Sequence, residues 1–546
     1  MSHPALRLAL RLLLATLVLH VVLVQPNHPD AMTWRALAVF PLELPVVIFG
    51  LLALGNGAVG RAGRSALVAA LMLISVLKAA DFAMFTALAR GFNPVADLVL
   101  VGAGLRLLTG AIGLVPTILA VIAALIGIAV VAAALWWATG AWARVPVRRG
   151  SARGAAALAA MLCAAVATAE IGGAMGRWTL PANPPGAAFT ARVGVERWQQ
   201  ARATLTDLRL FEAAARSDAY AGAEGLLDRI DRDVIMVFVE SYGRTSLDTP
   251  FFAGLHRETL AAAEADLAAR GLTMASGFLR SPTQGGQSWL AHATFSNGLW
   301  VDGQTRYGAA LVSGRQTLFH LAQDAGFHTA AVMPQITLDW PEGLVMGFET
   351  ILAADDLGYR GRPFNWVTMP DQFTFAALDR LLRDEDDDRN LFIQIATGTS
   401  HAPWVPVPEL VEWEMIGDGT IFNEMADAGD PPDVVWRDRD RVRAQYRLAV
   451  DYALRTVFAY AARHAENPPL MIVMGDHQAA GFIALDDRPE VPMHVIGPAD
   501  LVARTEAWGL APGLTPEPDT PVIPMDRMRD LILDTFTSGP DARRES

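Results

Sequence analysis

The chain has 546 residues, 52% hydrophobic and 18% charged, with a formal net charge of −13. That length is too great for one hydrophobic core, so two or more domains are expected. The acidic balance, with no basic stripe, excludes a nucleic acid as partner, and a single cysteine, Cys163, excludes disulfides within the chain.

Up to about residue 176 the sequence is almost wholly Ala, Leu, Val, Ile and Gly broken by isolated arginines, the composition of a membrane domain. Five apolar runs near the ~20 residues that cross a bilayer are predicted at 5–24, 35–54, 66–88, 115–138 and 154–176. The first has no small-residue cleavage site after it and reads as an uncleaved anchor. Arg7 and Arg11, Arg61 and Arg64, and Arg144, Arg148, Arg149 and Arg153 form three basic clusters. Five crossings place all three on one side, which the positive-inside rule makes cytoplasmic. Everything after residue 176 then lies outside, and for a bacterial chain this means a multi-pass inner-membrane protein with a periplasmic C-terminal domain. The moderately apolar stretch 90–114 is expected to be interfacial or re-entrant. Lys78, the only lysine, stands three residues before Asp81 on one helical face, and the pair is expected to form an ion pair within the bundle.

Residues 177–232 read as a linker: a Pro-rich exit from the membrane, then a helix over 195–215. From 233 to 546, strand-like runs at 234–239, 327–333, 391–396, 470–474 and 491–496 alternate with helical segments at 255–270, 316–325, 372–383, 440–464 and 525–536. This alternation predicts an α/β domain with a mostly parallel sheet.

Two of those runs stop abruptly at metal-capable side chains, the first at Glu240 and the fourth at Asp476-His477. Buried parallel strands end this way at the carboxyl edge of a sheet, where open α/β folds bind ligands. Two carboxylates and an imidazole suit a divalent cation such as Zn²⁺ or Mn²⁺. Ser288 follows the loop Ser281-Pro-Thr-Gln-Gly-Gly-Gln287 at the start of a helix-compatible segment. A hydroxyl there, beside a metal and an anion-binding helix end, is a candidate nucleophile; a plain helix cap is the alternative. Arg244 and Arg280 are weaker phosphate-binding candidates, and His292 shares the helical face of Ser288.

Val-Phe-Val-Glu240-Ser241, Gly-Gly-Gln-Ser288, Ser400-His401-Ala-Pro-Trp404 and Met-Gly-Asp476-His477-Gln478 follow one another behind the apolar region. In these motifs and their order the chain resembles the membrane-anchored phosphotransferases of the alkaline phosphatase and sulfatase superfamily, among them lipoteichoic acid synthases, phosphoglycerol transferases and phosphoethanolamine transferases. The resemblance implies a sulfatase-like catalytic domain in which Glu240, Ser288, Asp476 and His477 hold one Mn²⁺ or Zn²⁺. It implies that Ser288 takes a phosphoryl headgroup, phosphoglycerol favoured, from a membrane phospholipid through a covalent intermediate, for transfer to an envelope glycan, lipid or other hydroxyl acceptor. It also implies that His401 binds the phosphate or protonates the leaving oxygen, and that Trp340 lines the headgroup pocket. The chain departs from that pattern in having Ser for Thr at the nucleophile, Met333 where a pocket histidine is found, and Glu342 where a pocket arginine is found. The competing readings are a sulfatase, for which Ser288-Trp-Leu-Ala-His lacks the required Pro and Arg, a phosphodiesterase, and a non-catalytic envelope-assembly protein.

Overall fold

The computed structural model describes residues 3–88, 91–98, 100–147, 150–182, 184–338, 340–383 and 387–539. The chain divides into two compact units, Met1–Asp207 and Leu208–Ser546.

In the first unit, among the described residues, four helices are long and apolar enough to cross a membrane: Pro4–Val24, Ala58–Thr86, Leu114–Ala143 and Ser151–Ala174. The run at 35–54 is not one helix. It breaks into a turn at Trp34–Leu37 and the helix Glu43–Leu54, whose 12 residues rise only about 18 Å. The break has a cause in hydrogen bonding. Pro41 lacks an N–H, and the backbone around it pairs with Ala187 instead, Leu42 N donating to Ala187 O at 3.1 Å and Ala187 N to Phe40 O at 3.1 Å. Within 90–114 the described residues 91–98 are coil and turn, and the helix Leu100–Ile112 follows, ended at Gly113, where φ is +89°. Arg90, Arg148 and Arg149 lie outside the described residues.

Lys78 and Asp81 are both buried, but among the described residues they do not pair with each other as expected. Lys78 Nζ donates to Leu23 O at 3.2 Å and Thr190 Oγ1 at 2.6 Å. Asp81 instead accepts from Asn27 Nδ2, Phe92 N and an Arg197 guanidinium N–H at 2.9–3.0 Å. Each charge is satisfied by a different neighbour, the condition for keeping it out of water. Glu43 and Glu170 accept from Ala191 N at 2.9 Å and Ala188 N at 3.0 Å. They thereby fix the start of the helix Phe189–Arg216 with negative charge at its positive end.

In the second unit nine strands form one sheet among the described residues: β1 (Val234–Val239), β2 (Thr273–Arg280), β3 (His328–Met333), β4 (Thr350–Ala353), β5 (Leu391–Ala396), β6 (Leu470–Gly475), β7 (Glu490–Gly497), β8 (Ala511–Pro512) and β9 (Val522–Pro524). Their order is β4-β3-β5-β1-β6-β7-β2-β8, with β9 against β2. β1, β3, β4, β5 and β6 are mutually parallel. The strand expected at 491–496 is β7, which runs antiparallel to both β6 and β2, so the mostly parallel sheet is mixed. All residues of β1 and β6 are buried because both faces are covered. Ile235, Val237 and Val239 pack on one side with Phe373, Tyr446 and Val450. Val234, Met236 and Phe238 pack on the other with Phe295, Phe319 and Phe536. Coverage on both faces explains why these strands read as continuous apolar runs instead of alternating ones.

After β6 the backbone passes so close to the turn following β1 that a Cβ on Gly475 would lie 1.9 Å from Tyr242 O. Gly475→Ala is therefore expected to destabilise this unit by about 3 kcal/mol. Gly254, with open space around its Cβ position inside a helix, is expected to shift stability by no more than ~1 kcal/mol, in the stabilising direction, when changed to Ala. Thermal melts of the detergent-solubilised chain compare the two.

Candidate active site

Register builds the site. Val239 of β1 is paired with Gly475 of β6, so the residues that follow, Glu240 and Asp476, emerge side by side. At Ser241 the chain turns sharply with φ of +58°. Ser241 N donates to Asp476 Oδ1 at 2.8 Å, and Ser241 O accepts from the Tyr446 hydroxyl at 2.8 Å. His477 N also donates to Asp476 Oδ1, at 2.6 Å. The His477 ring lies with Nδ1 3.0 Å from Gln478 O and Nε2 3.3 Å from Glu240 Oε1 and 3.7 Å from Asp476 Oδ2. A carbonyl on Nδ1 orients the ring and leaves Nε2 to face the carboxylates.

The loop after β2 brings in the hydroxyl. Ser281 Oγ donates to Asp476 O at 2.6 Å and Gly285 N to Gln478 O at 2.8 Å, which ties the loop to the end of β6. Gln287, at φ of +66°, is the residue that caps the helix Ser288–Asn297, and it does so without a side-chain bond. Ser288 is therefore not the cap. Its Oγ donates to Glu240 Oε2 at 2.9 Å and lies 3.4 Å from His477 Nε2. Phe295 on this helix meets Phe238 of β1 edge to face at 5.5 Å, and Leu290 and Ala293 pack against Phe211 and Ala215, so the helix is held from both sides.

The structure thus brings Glu240, Ser288, Asp476 and His477 together. Glu240, Asp476 and His477 can each offer one ligand atom, all within 4.8 Å of one another, a donor set that fits a divalent cation. The electrostatics agree. Burial works against ionisation of Glu240, but the His477 charge outweighs it and holds the carboxyl well below the usual range. Burial next to Glu240 raises Asp476 to about 8. His477 is raised to about 9, the two carboxylates overcoming its own burial. Asp476 and His477 thus keep protons that offset the Glu240 charge, and a bound cation would take the place of those protons.

His401 and Trp340 line the same cavity of about 540 Å³ as Ser288 and Glu240, and Met333 and Glu342 line it too. His401 is exposed at the end of the loop after β5, with Nδ1 2.6 Å from Ala402 O. His292 borders the cavity, its ring tilted at 46° to that of Phe238 with centroids 4.2 Å apart, and burial pushes its pKa down to about 4, so it is neutral at neutral pH. Arg244 and Arg280 are not lining residues. Arg244 is buried over Phe278 at 4.0 Å and pairs with Asp248 and Glu490, while Arg280 lies over Trp300.

Three residues that the sequence does not single out shape the site. Asp371 Oδ1 accepts from Gly398 N at 2.7 Å and Thr399 N at 3.0 Å, which fixes the loop that ends at His401. Thr397 Oγ1 accepts from Glu240 N at 3.2 Å. Tyr446 supports the turn at Ser241. A lone Asp after Pro370, a loop threonine and a tyrosine on an apolar helix face have no local signal that separates them from ordinary core residues.

The family model for sulfatases matches residues 232–492, so this part of the chain is a sulfatase-like domain. Its span takes in the four motifs and the site just described. No curated protein matches the chain. Among solved structures, the chain is similar to the integral membrane protein lipooligosaccharide phosphoethanolamine transferase A from Neisseria meningitidis, at 14% identity and a TM-score of 0.43 over 97% of this chain and 96% of that one. It is also similar to the lipoteichoic acid synthase LtaP from Listeria monocytogenes, at 13% identity and a TM-score of 0.38 over 61% of this chain and 78% of that one. A third is the Streptococcus pyogenes phosphoglycerol transferase GacH in complex with sn-glycerol-1-phosphate, at 13% identity and a TM-score of 0.36 over 62% and 83%.

Elemental analysis of the purified full-length chain is expected to find one divalent ion per molecule. Glu240→Gln and Asp476→Asn are expected to lose it while keeping the far-UV circular dichroism of the parent.

Proposed function

We propose that the chain is a membrane-anchored phosphotransferase that moves the phosphoryl headgroup of a membrane phospholipid onto Ser288 and then to a hydroxyl of an envelope glycan or lipid. The observation that carries this reading is the sharing of Glu240, whose Oε2 takes the hydrogen bond of Ser288 while Oε1 faces His477. A hydroxyl is thereby aligned with every other group that could hold a cation. Mn²⁺ or Zn²⁺ held by Glu240, Asp476, His477 and Ser288 would offset the buried carboxylates and acidify the hydroxyl.

The chain's own residues supply the rest. Ser288 stands at the first turn of a ten-residue helix, whose N-terminal N–H groups and dipole favour an incoming phosphate. Attack by Ser288 Oγ forms a new O–P bond as the P–O bond to diacylglycerol breaks. Ser288 gives up its proton to solvent as it attacks, and the leaving oxygen takes a proton from His401. In the second half the acceptor hydroxyl gives its proton to His401, its oxygen bonds the phosphorus as the Ser288 Oγ–P bond breaks, and Ser288 Oγ takes a proton back from solvent.

The same reading has five membrane crossings, with 1–176 as the membrane domain, 177–232 as linker and 233–546 as an extracytoplasmic catalytic domain of the bacterial inner membrane. The short helix Glu43–Leu54 supports it, because its two ends lie in different polar layers. Glu43 bonds Ala191 N beside the Lys78–Thr190 contact, while Gly55 abuts the Arg153 guanidinium. Arg64 lies over Trp136 at 3.6 Å, and from Arg64 to Lys78 its helix rises about 21 Å. The arginine layer is the cytoplasmic one by the positive-inside rule.

Incubation of the full-length protein with labelled phosphatidylglycerol and phosphatidylethanolamine is expected to release diacylglycerol and label the enzyme. Ser288→Ala should abolish both signals, and release that survives it would overturn the nucleophile. His401→Ala is expected to slow turnover ~10²-fold. In a Cys163→Ser background, Glu224→Cys is expected to react with a membrane-impermeant maleimide in intact spheroplasts; reaction only after lysis refutes the topology.

A further inference from the structure

We propose that Glu342 makes this cavity selective for a donor headgroup carrying a positive charge, an aminoalkyl phosphoryl group, in place of the phosphoglycerol that the sequence resemblance favours. The inference rests on the phosphotransferase reading and specifies its substrate.

Ser288, Glu240 and Thr397 line the cavity together with Trp289, Tyr307, Trp340 and Glu342. Among its described lining residues there is no arginine and no lysine. Of the two histidines, His292 is held neutral by burial, and His401 belongs to the acid–base step. Glu240 is committed to Ser288 and His477. Glu342 is half-buried, and among the described residues it forms no ion pair. It is also within electrostatic reach of the buried Tyr307, whose hydroxyl is raised first by burial and then by the Glu342 charge.

A phosphorus seated at Ser288 sends its headgroup into this chamber. A carboxylate that forms no ion pair among the described residues, lining one cavity with two indoles and a phenol, is a recognition set for an ammonium. The aromatic faces attract a cation, and a hydrogen bond between charged partners is roughly twice as strong as a neutral one. Glycerol offers hydroxyls that the carboxylate can accept from, but it gains nothing from the ring quadrupoles and carries no charge to offset Glu342. An anionic headgroup would be repelled. Gln304 does not change the balance, since its Oε1 is taken by Trp289 Nε1 at 3.2 Å.

The test uses the full-length protein loaded with Mn²⁺ in neutral detergent micelles containing phosphatidylethanolamine or phosphatidylglycerol with identical acyl chains. Diacylglycerol release is the readout. The wild type is expected to cleave the amine lipid about tenfold faster or more, the ratio that one charge-assisted contact supplies. Glu342→Gln should bring the ratio close to one, and Glu342→Arg should reverse it. A wild type that cleaves phosphatidylglycerol as fast overturns the inference while leaving the phosphotransferase reading intact, as does a ratio unchanged in Glu342→Gln. Cleavage of neither lipid overturns the phosphotransferase reading, and the inference falls with it. Should the Glu342 variants fail to fold, the wild-type ratio alone decides.

Discussion

Val239 and Gly475 stand side by side in the parallel pair of β1 and β6, and one residue further each strand releases a carboxylate into the same buried space. Two such groups repel in a low dielectric, and the fold tolerates them only through the donors it places around them. Asp476 takes two backbone N–H groups, Glu240 takes a serine hydroxyl, and His477 faces both. The loop carrying Ser288 is bonded to the end of β6, so its hydroxyl is referenced to the same strand as Asp476 and His477. Distortion of that pairing would therefore move Glu240, Ser288, Asp476 and His477 at once.

Groups further out hold this arrangement without joining it. Asp371, buried and raised to about 6 by that burial, accepts two consecutive backbone N–H groups and so sets the path of the loop to His401. Tyr446 does the same for the turn at Ser241. The first unit applies the same rule, where Lys78, Asp81, Glu43 and Glu170 each find a donor or acceptor on the helix Phe189–Arg216 or at the residue before it. Buried polar groups of this kind specify a single packing when all are satisfied.

Much of this is written locally in the chain. β1, β5 and β6 are apolar runs ended by chemistry-bearing residues, and a sheet covered on both faces leaves that pattern intact. Glu240, Ser288, Asp476 and His477 are legible because they fall at element ends, where strand or helix periodicity stops. What escaped is what depends on distant pairing. The direction of β7 is set by its partners β6 and β2, and its sequence carries no mark of polarity. The helix expected at 35–54 breaks because Pro41 faces Ala187, a contact far away in sequence. Lys78 and Asp81 sit at pairing distance on one helix face, yet Thr190 and Arg197 outcompete that local pairing. Asp371 and Tyr446 act through backbone atoms, which no side-chain motif encodes.

The burial of Lys78 has a consequence for the whole molecule's chemistry. It is the chain's sole lysine and has no exposed surface, so every other permanently cationic side chain is a guanidinium, which stays charged far into alkaline solution. Apart from the terminal amine, reagents or enzymes that acylate amino groups find no accessible target, and the cationic charge on the solvent-facing surface cannot be switched off by that route.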